Sequence, residues 1–214
     1  MKNLKVRILF YFGGLFIMTA GIAASVRSAL GVSPVSSIPY TLTCVWGLEM
    51  GLATIVFHCA LVVLQLILLR KHFKLKNFLQ VAVGVVFGLF TTACNNLVAL
   101  LPLSDSLLVR GLLTASSVVL IAFGIFLYVP ADFVPLAGEG TIAVIAELLH
   151  KQFSRVKIVF DVSMVTVSLI TCLIFIHSLG SVGAGTVIAA FLVGFVLGIF
   201  EKLLGKKRDA ILKK

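Results

Sequence analysis

Three ionisable side chains stand inside otherwise apolar sequence, and they are where this chain could do chemistry. His58 lies in TIVFHCALVV, Asp161 in VKIVFDVSMVTV, and Glu139 between two glycines in PLAGEGTIAV. Ionisable groups in such surroundings are costly, so they are paired, held by neighbours, or used on a pathway for ions, protons or solutes. Asp161 has a structural duty to hand, because Lys157 precedes it by four positions and an i,i+4 ion pair would form on a helix. Glu139 also has two readings. It can meet the positive start of the apolar helix that follows, or, left bare by Gly138 and Gly140, it can contact an amine, a cation or a proton. His58 is either a neutral packing histidine or the polar partner of a solute.

Hydroxyls gather in a second place, the stretch RSALGVSPVSSIPYT from Arg27 to Thr41. Pro34 and Pro39 interrupt helical hydrogen bonding and Gly31 permits a turn. Ser36 or Ser37 is expected to cap a short helix, with Ser33 just ahead of it. Arg27 either reaches lipid head groups or draws an anionic group toward these serines. Asn95, followed by Asn96, needs an internal partner if buried, which gives helix–helix adhesion or ligand contact. Thr141 follows Glu139 into the second apolar helix. The candidate solute-binding set is therefore Arg27, Ser33, Ser36, Ser37, His58, Asn95, Glu139, Thr141 and Asp161, with Glu139 and Asp161 as candidate proton-coupling groups. Glu147, beside His150 and Lys151, reads as a solvated helix end.

The elements that must position these groups follow from composition. Of 214 residues, 60% are hydrophobic and 12% charged, against roughly 25% charged in an ordinary soluble domain. That excludes a disordered chain, a secreted disulfide scaffold and a usual soluble enzyme. Uncharged runs occupy 8–26, 50–69, 77–101, 111–131, 162–176 and 178–200, and the fifth span is expected to begin near Val156 and take in Asp161. Each approaches the roughly 20 residues that a membrane crossing needs. Stretches 33–47 and 137–150 are apolar but too short to cross, and they read as interrupted or re-entrant segments. With both termini cytoplasmic, 16 of the 18 basic residues fall inside, leaving Arg27 and Arg110 outside, as the positive-inside rule asks. The net charge of +10 is thus topological, and nucleic acid is not an expected partner.

An internal repeat orders the spans. A shift of 103 lays Gly21-Ile22 on Gly124-Ile125, Val56-Phe57 on Val159-Phe160, and His58 on Asp161. A shift of 110 lays Gly84-xxx-Gly88-Leu-Phe90 on Gly194-xxx-Gly198-Ile-Phe200. Each half reads span, short broken stretch, span, span. Three crossings per half invert the second copy, as in many secondary transporters. The expected architecture is an all-α polytopic membrane protein with six transmembrane helices, two short segments and an inverted 3+3 repeat. It forms a single transmembrane domain over 1–214, with one repeat at about 8–101, the other at about 110–200, and a basic cytoplasmic tail at 201–214.

No catalytic constellation is present: no HExxH, no nucleotide loop, no aspartate pair at a protease-like spacing. Cys44, Cys59, Cys94 and Cys172 stand apart without metal-ligand spacing and read as small buried hydrophobes. Neither enzyme activity, a metal nor another cofactor is expected. RSALGVSP with its downstream tyrosine, PLAGEGTIAVIAE, KIVFDVS and GSVGAGTVIAAFLVG together resemble the YczE/YitT-like group of bacterial integral membrane proteins. That resemblance covers roughly residues 8–200. It implies residence in a bacterial inner membrane and marks Arg27, Gly31, Ser33, Pro34, Glu139, Gly140, Asp161, Gly183, Gly185 and Thr186 as characteristic positions, without specifying a ligand. The expected function is a small secondary transporter for a small polar or zwitterionic solute, with proton coupling as the simplest use of the acids. Its alternatives are a substrate-capture membrane subunit served by an energising partner and a non-transporting scaffold. Expected partners are the lipid bilayer, the solute, and either a second copy in a homodimer or that energising subunit.

Overall fold

The computed structural model describes residues 4–100 and 106–213. The repeat boundary at 101, residues 102–105, and Lys2 and Lys214 lie outside the described residues. All regular structure among the described residues is helical: α1 (Leu4–Ser28), α2 (Pro34–Trp46), α3 (Met50–Leu69), α4 (Leu79–Ala99), α5 (Leu107–Tyr128), α6 (Ala137–Leu148), α7 (Phe153–Ile176) and α8 (Ala184–Lys213), with three short 3-10 turns. Six of the helices, extended by those turns, are long and apolar enough to cross a membrane. The other two, α2 with 13 residues and α6 with 12, would reach only about 20 Å at 1.5 Å per residue, short of a hydrocarbon core of about 30 Å. Large apolar side chains such as Leu9, Val159 and Phe191 are exposed, as lipid-facing residues are.

Two boundaries depart furthest from the sequence reading. The last span begins at Ala184 rather than 178, because His177 and Gly180 take positive φ values of 51° and turn the chain. Its helix then continues through the expected tail to Lys213. Lysine and leucine favour continuation, and Arg208 ties the end down.

The chain divides into two compact units, and each draws on both halves of the sequence. Unit 1 comprises Met1–Ser33, Ala93–Phe133 and Ala184–Lys214. Its centre is α1 packed against α5. A Cβ on Gly14 would lie 2.7 Å from Gly124 O, and one on Gly21 would lie 2.9 Å from Ser117 O, so only glycine lets these backbones approach. The pairs 14/124 and 21/117 run in opposite directions, so the helices are antiparallel. At each end an arginine caps the neighbouring helix. Arg7 donates from Nε to Ala131 O at 3.0 Å and from Nη2 to Asp132 O at 3.0 Å. Arg110 donates from Nε to Ser28 O at 2.7 Å and from Nη2 to Ala29 O at 2.6 Å. Carbonyls at a helix C-terminus lack intrahelical donors, and a guanidinium supplies them with charge in its favour. Ala29 and Asp132 both take the left-handed conformation, at φ 50° and 53°. Shifting Arg7, Ser28 and Ala29 by 103 gives Arg110, Ala131 and Asp132, so each contact maps onto the other. On the far side of α5, Phe123 meets Phe200 of α8 edge-on at 5.3 Å.

Unit 2 comprises Pro34–Thr92 and Val134–Gly183. Here α2 packs on α3 and α7, and α6 packs on the same two helices. Phe57, Leu61, Val62, Ile142, Val156 and Phe160 form its apolar core. The packing partners are again exchanged between halves, because α2 against α7 matches α6 against α3 under the 103 shift.

Candidate functional site

The two short helices of unit 2 meet at their first turns. A Cβ on Gly138 in α6 would lie 3.7 Å from Val35 Cγ1 in α2, and these two positions are themselves 103 apart. α2 opens with Pro34, whose missing N–H costs nothing at a helix start. Ser36 and Ser37 therefore sit inside the first turn rather than at the cap, which corrects their expected capping role. α6 opens at Ala137, so Glu139 falls in its first turn, where the unpaired N–H groups favour a carboxylate.

Polar side chains from the longer helices hold both first turns. Ser37 is fully buried; its Oγ donates to Pro34 O at 2.6 Å and accepts from Ser168 Oγ of α7 at 3.0 Å. Thr141 is also fully buried; its Oγ1 donates to Ala137 O at 2.7 Å and accepts from Gln65 Nε2 of α3 at 3.1 Å. Gln65 Nε2 also reaches Ala137 O at 3.2 Å and Gln80 Oε1 at 2.9 Å, while Gln80 Nε2 returns to Gln65 Oε1 at 3.2 Å. The carboxamides fill the space beside Gly140, where a Cβ would sit 2.6 Å from Gln80 Oε1. Gln65 and Ser168 are 103 apart. Each reaches from the span of one half into the broken helix of the other.

Of the sequence-derived candidates, Ser36, Ser37, Glu139 and Thr141 lie on these two first turns. Ser36 is buried and Glu139 half-buried. His58 stands on another part of α3, 3% exposed, with Nδ1 buried and without a hydrogen bond. Its ring packs on Phe87 at 5.6 Å and against Gly84, where a Cβ would approach His58 Cβ to 2.8 Å. Asp161 on α7 pairs through Oδ2 with Lys157 Nζ at 2.8 Å, while Oδ1 is buried without a hydrogen bond. No hydrogen bond or ion pair joins His58 and Asp161 among the described residues. Arg27, Ser33 and Asn95 belong to unit 1. There Arg27 Nη2 donates to Ala99 O at 3.5 Å, and Asn95 Nδ2 is buried without a hydrogen bond. Glu147 is exposed.

A family model described as "Family of unknown function (DUF6198)" matches residues 5–202. The chain belongs to this family. Among relatives, the uncharacterized membrane protein YczE of Bacillus subtilis is 28% identical over 199 residues, covering 92% of this chain and 86% of that protein. The uncharacterized protein YyaS of the same organism is 25% identical over 201 residues, covering 93% and 94% of the two chains. No solved structure matches the chain. The resemblance to YczE-like membrane proteins read from the motifs is therefore sound, and the chain is a multi-pass membrane protein of this family.

The family match spans every residue of the meeting point, including several that sequence reasoning passed over. Gln65 and Gln80 were the legible ones, since VVLQLILL and FLQVAVG each carry one amide in an apolar run. Ser168 signalled itself only through its 103 spacing from Gln65. Arg7 and Arg110 share that spacing, yet they read as topological charge.

Proposed function

We propose that this protein is a small secondary transporter of the bacterial inner membrane, built as an inverted repeat, that carries a small polar or zwitterionic solute. The observation that carries the proposal is the meeting of α2 and α6 at Val35 and Gly138, two interrupted segments in corresponding positions of the two halves. Broken helices whose starts face each other are how such proteins bind solutes within the bilayer. The antiparallel α1–α5 pair, with contacts that exchange under one shift, supports the inversion. Both termini then lie in the cytoplasm. Arg110 stays outside because it is committed to the C-terminal carbonyls of α1.

The first turn of α2 offers hydroxyls and that of α6 offers a carboxylate, so a solute with an anionic and a cationic end satisfies both. Asp161 is held by Lys157 and has a structural duty, which leaves Glu139 as the better proton-coupling candidate. The test is ligand-induced stabilisation of the purified protein across amino acids, betaines, polyamines and carboxylates, followed by uptake into proteoliposomes. A stabilising solute should lose most of its effect in Glu139→Gln, part in Ser36→Ala, and little in Glu147→Gln. Equal responses from both glutamate variants would end the assignment of the site, and a bound solute that is never accumulated would end that of transport.

A further inference from the structure

The C-terminal end of α8 carries a charge pattern that the transport reading does not use. At 1.5 Å per residue this 30-residue helix is about 45 Å long, so roughly its last ten residues extend beyond a hydrocarbon core of about 30 Å. The charges begin one turn before that point, at Glu201. Arg208 is turned inward, 8% exposed, with its Cζ 4.5 Å from the Phe126 ring centroid and Nη1 donating to Phe126 O at 3.2 Å. It takes both acids of the segment, pairing with Glu201 and, at 2.8 Å, with Asp209.

Lys202, Lys206 and Lys207 are left exposed, and none of the three has an ion pair or hydrogen bond among the described residues. At 100° per residue they occupy an arc of about 140° turned away from Arg208. Leu203 and Ile211, 68% and 45% exposed, lie on or beside that arc. The acids are thus sequestered by one buried arginine, and an uncompensated basic face with apolar side chains remains at bilayer level.

We infer that this face binds the anionic phospholipid surface of the leaflet it borders, with the lysines on head-group phosphates and Leu203 at the acyl boundary. Basic and apolar residues sharing one helical face suit that occupant, because the lysines meet opposite charge while the apolar groups stay out of water. Each lysine near such a surface is worth about fivefold in affinity. Lys206 and Lys207 lie beyond the stretch matched by the family model, so the inference concerns this chain.

The test is hydrogen exchange of the peptide spanning 201–212 in the full-length protein, in nanodiscs of phosphatidylcholine alone and with phosphatidylglycerol added. Exchange should slow at least tenfold with the anionic lipid, and 0.5 M salt, where screening is severe, should remove most of the slowing. In the variant K202Q/K206Q/K207Q the lipid dependence should vanish, while exchange across α5 stays unchanged and reports an intact fold. Inorganic phosphate added to neutral nanodiscs should not reproduce the effect. Equal exchange in both lipids, lipid dependence surviving in the variant, or full reproduction by free phosphate would each overturn the inference.

Discussion

The α1–α5 pair of unit 1 and the α2–α6 pair of unit 2 obey the same 103-residue relation and use it differently. In the first pair the relation keeps the capping arginine and one close-approach glycine: Arg7 and Arg110 cap equivalent carbonyls, and Gly21 and Gly124 give equivalent close approaches. In unit 2 it preserves position and changes chemistry. Ser36 stands over Glu139, Ser37 over Gly140, Gln65 over Ser168 and His58 over Asp161. A frame needs two equal ends, whereas a site for a solute with unlike ends needs two unlike walls. Under the transport proposal the first pair is the frame and the second is the pair that meets the solute.

The comparison breaks first if the arginines are unequal. Arg7→Ala removes three charge-assisted hydrogen bonds and Arg110→Ala two, and each should destabilise the protein by about 2–3 kcal/mol. Thermal unfolding in a mild detergent checks this, and a loss confined to one variant would show that only one clamp matters. Next comes Gln65→Leu, which strands the buried amide of Gln80 and should cost about 1–2 kcal/mol. Ser168→Ala, losing one hydroxyl contact between membrane helices, should cost only about 0.6 kcal/mol. The double variant Gln65→Leu/Gln80→Leu should be less destabilised than the sum of its singles, since no amide is left stranded. The effect of His58→Leu on stability has no fixed direction. No hydrogen bond is lost there, so the change should stay within about 1 kcal/mol and can be favourable. If His58 serves the solute, uptake falls in this variant while the unfolding temperature holds. A His58→Leu protein that unfolds far more easily would reassign the residue to packing.

Much of this was legible before any coordinates. Runs of about twenty uncharged residues dictate the spans, and the Pro34 and Gly138-Glu139-Gly140 punctuation dictates where the short helices start. The pairing of Asp161 with Lys157 follows from their four-residue spacing alone. What the sequence could not announce is long-range. Nothing near Arg7 says that its partners are 124 and 125 residues away. Nothing near Gln65 says that it meets Gln80 rather than another polar group. The division of α4 between two units was equally hidden, because hydropathy reports burial in lipid and not the choice of neighbour.

The interleaving of the halves has a consequence for how the chain is made. Arg7 and the glycine face of α1 emerge early, but the glycines meet α5 and Arg7 caps Ala131 just after it, 124 residues later. At about 5–20 residues per second, that is a wait of roughly 6–25 s at the ribosome. During that interval α1 sits in the bilayer with an open glycine seam and no carbonyls for Arg7 to cap. A chain released after residue 100 would keep that seam for good. The N-terminal half expressed alone should therefore be cleared by membrane proteases, and co-expression of residues 106–214 as a separate chain should rescue it.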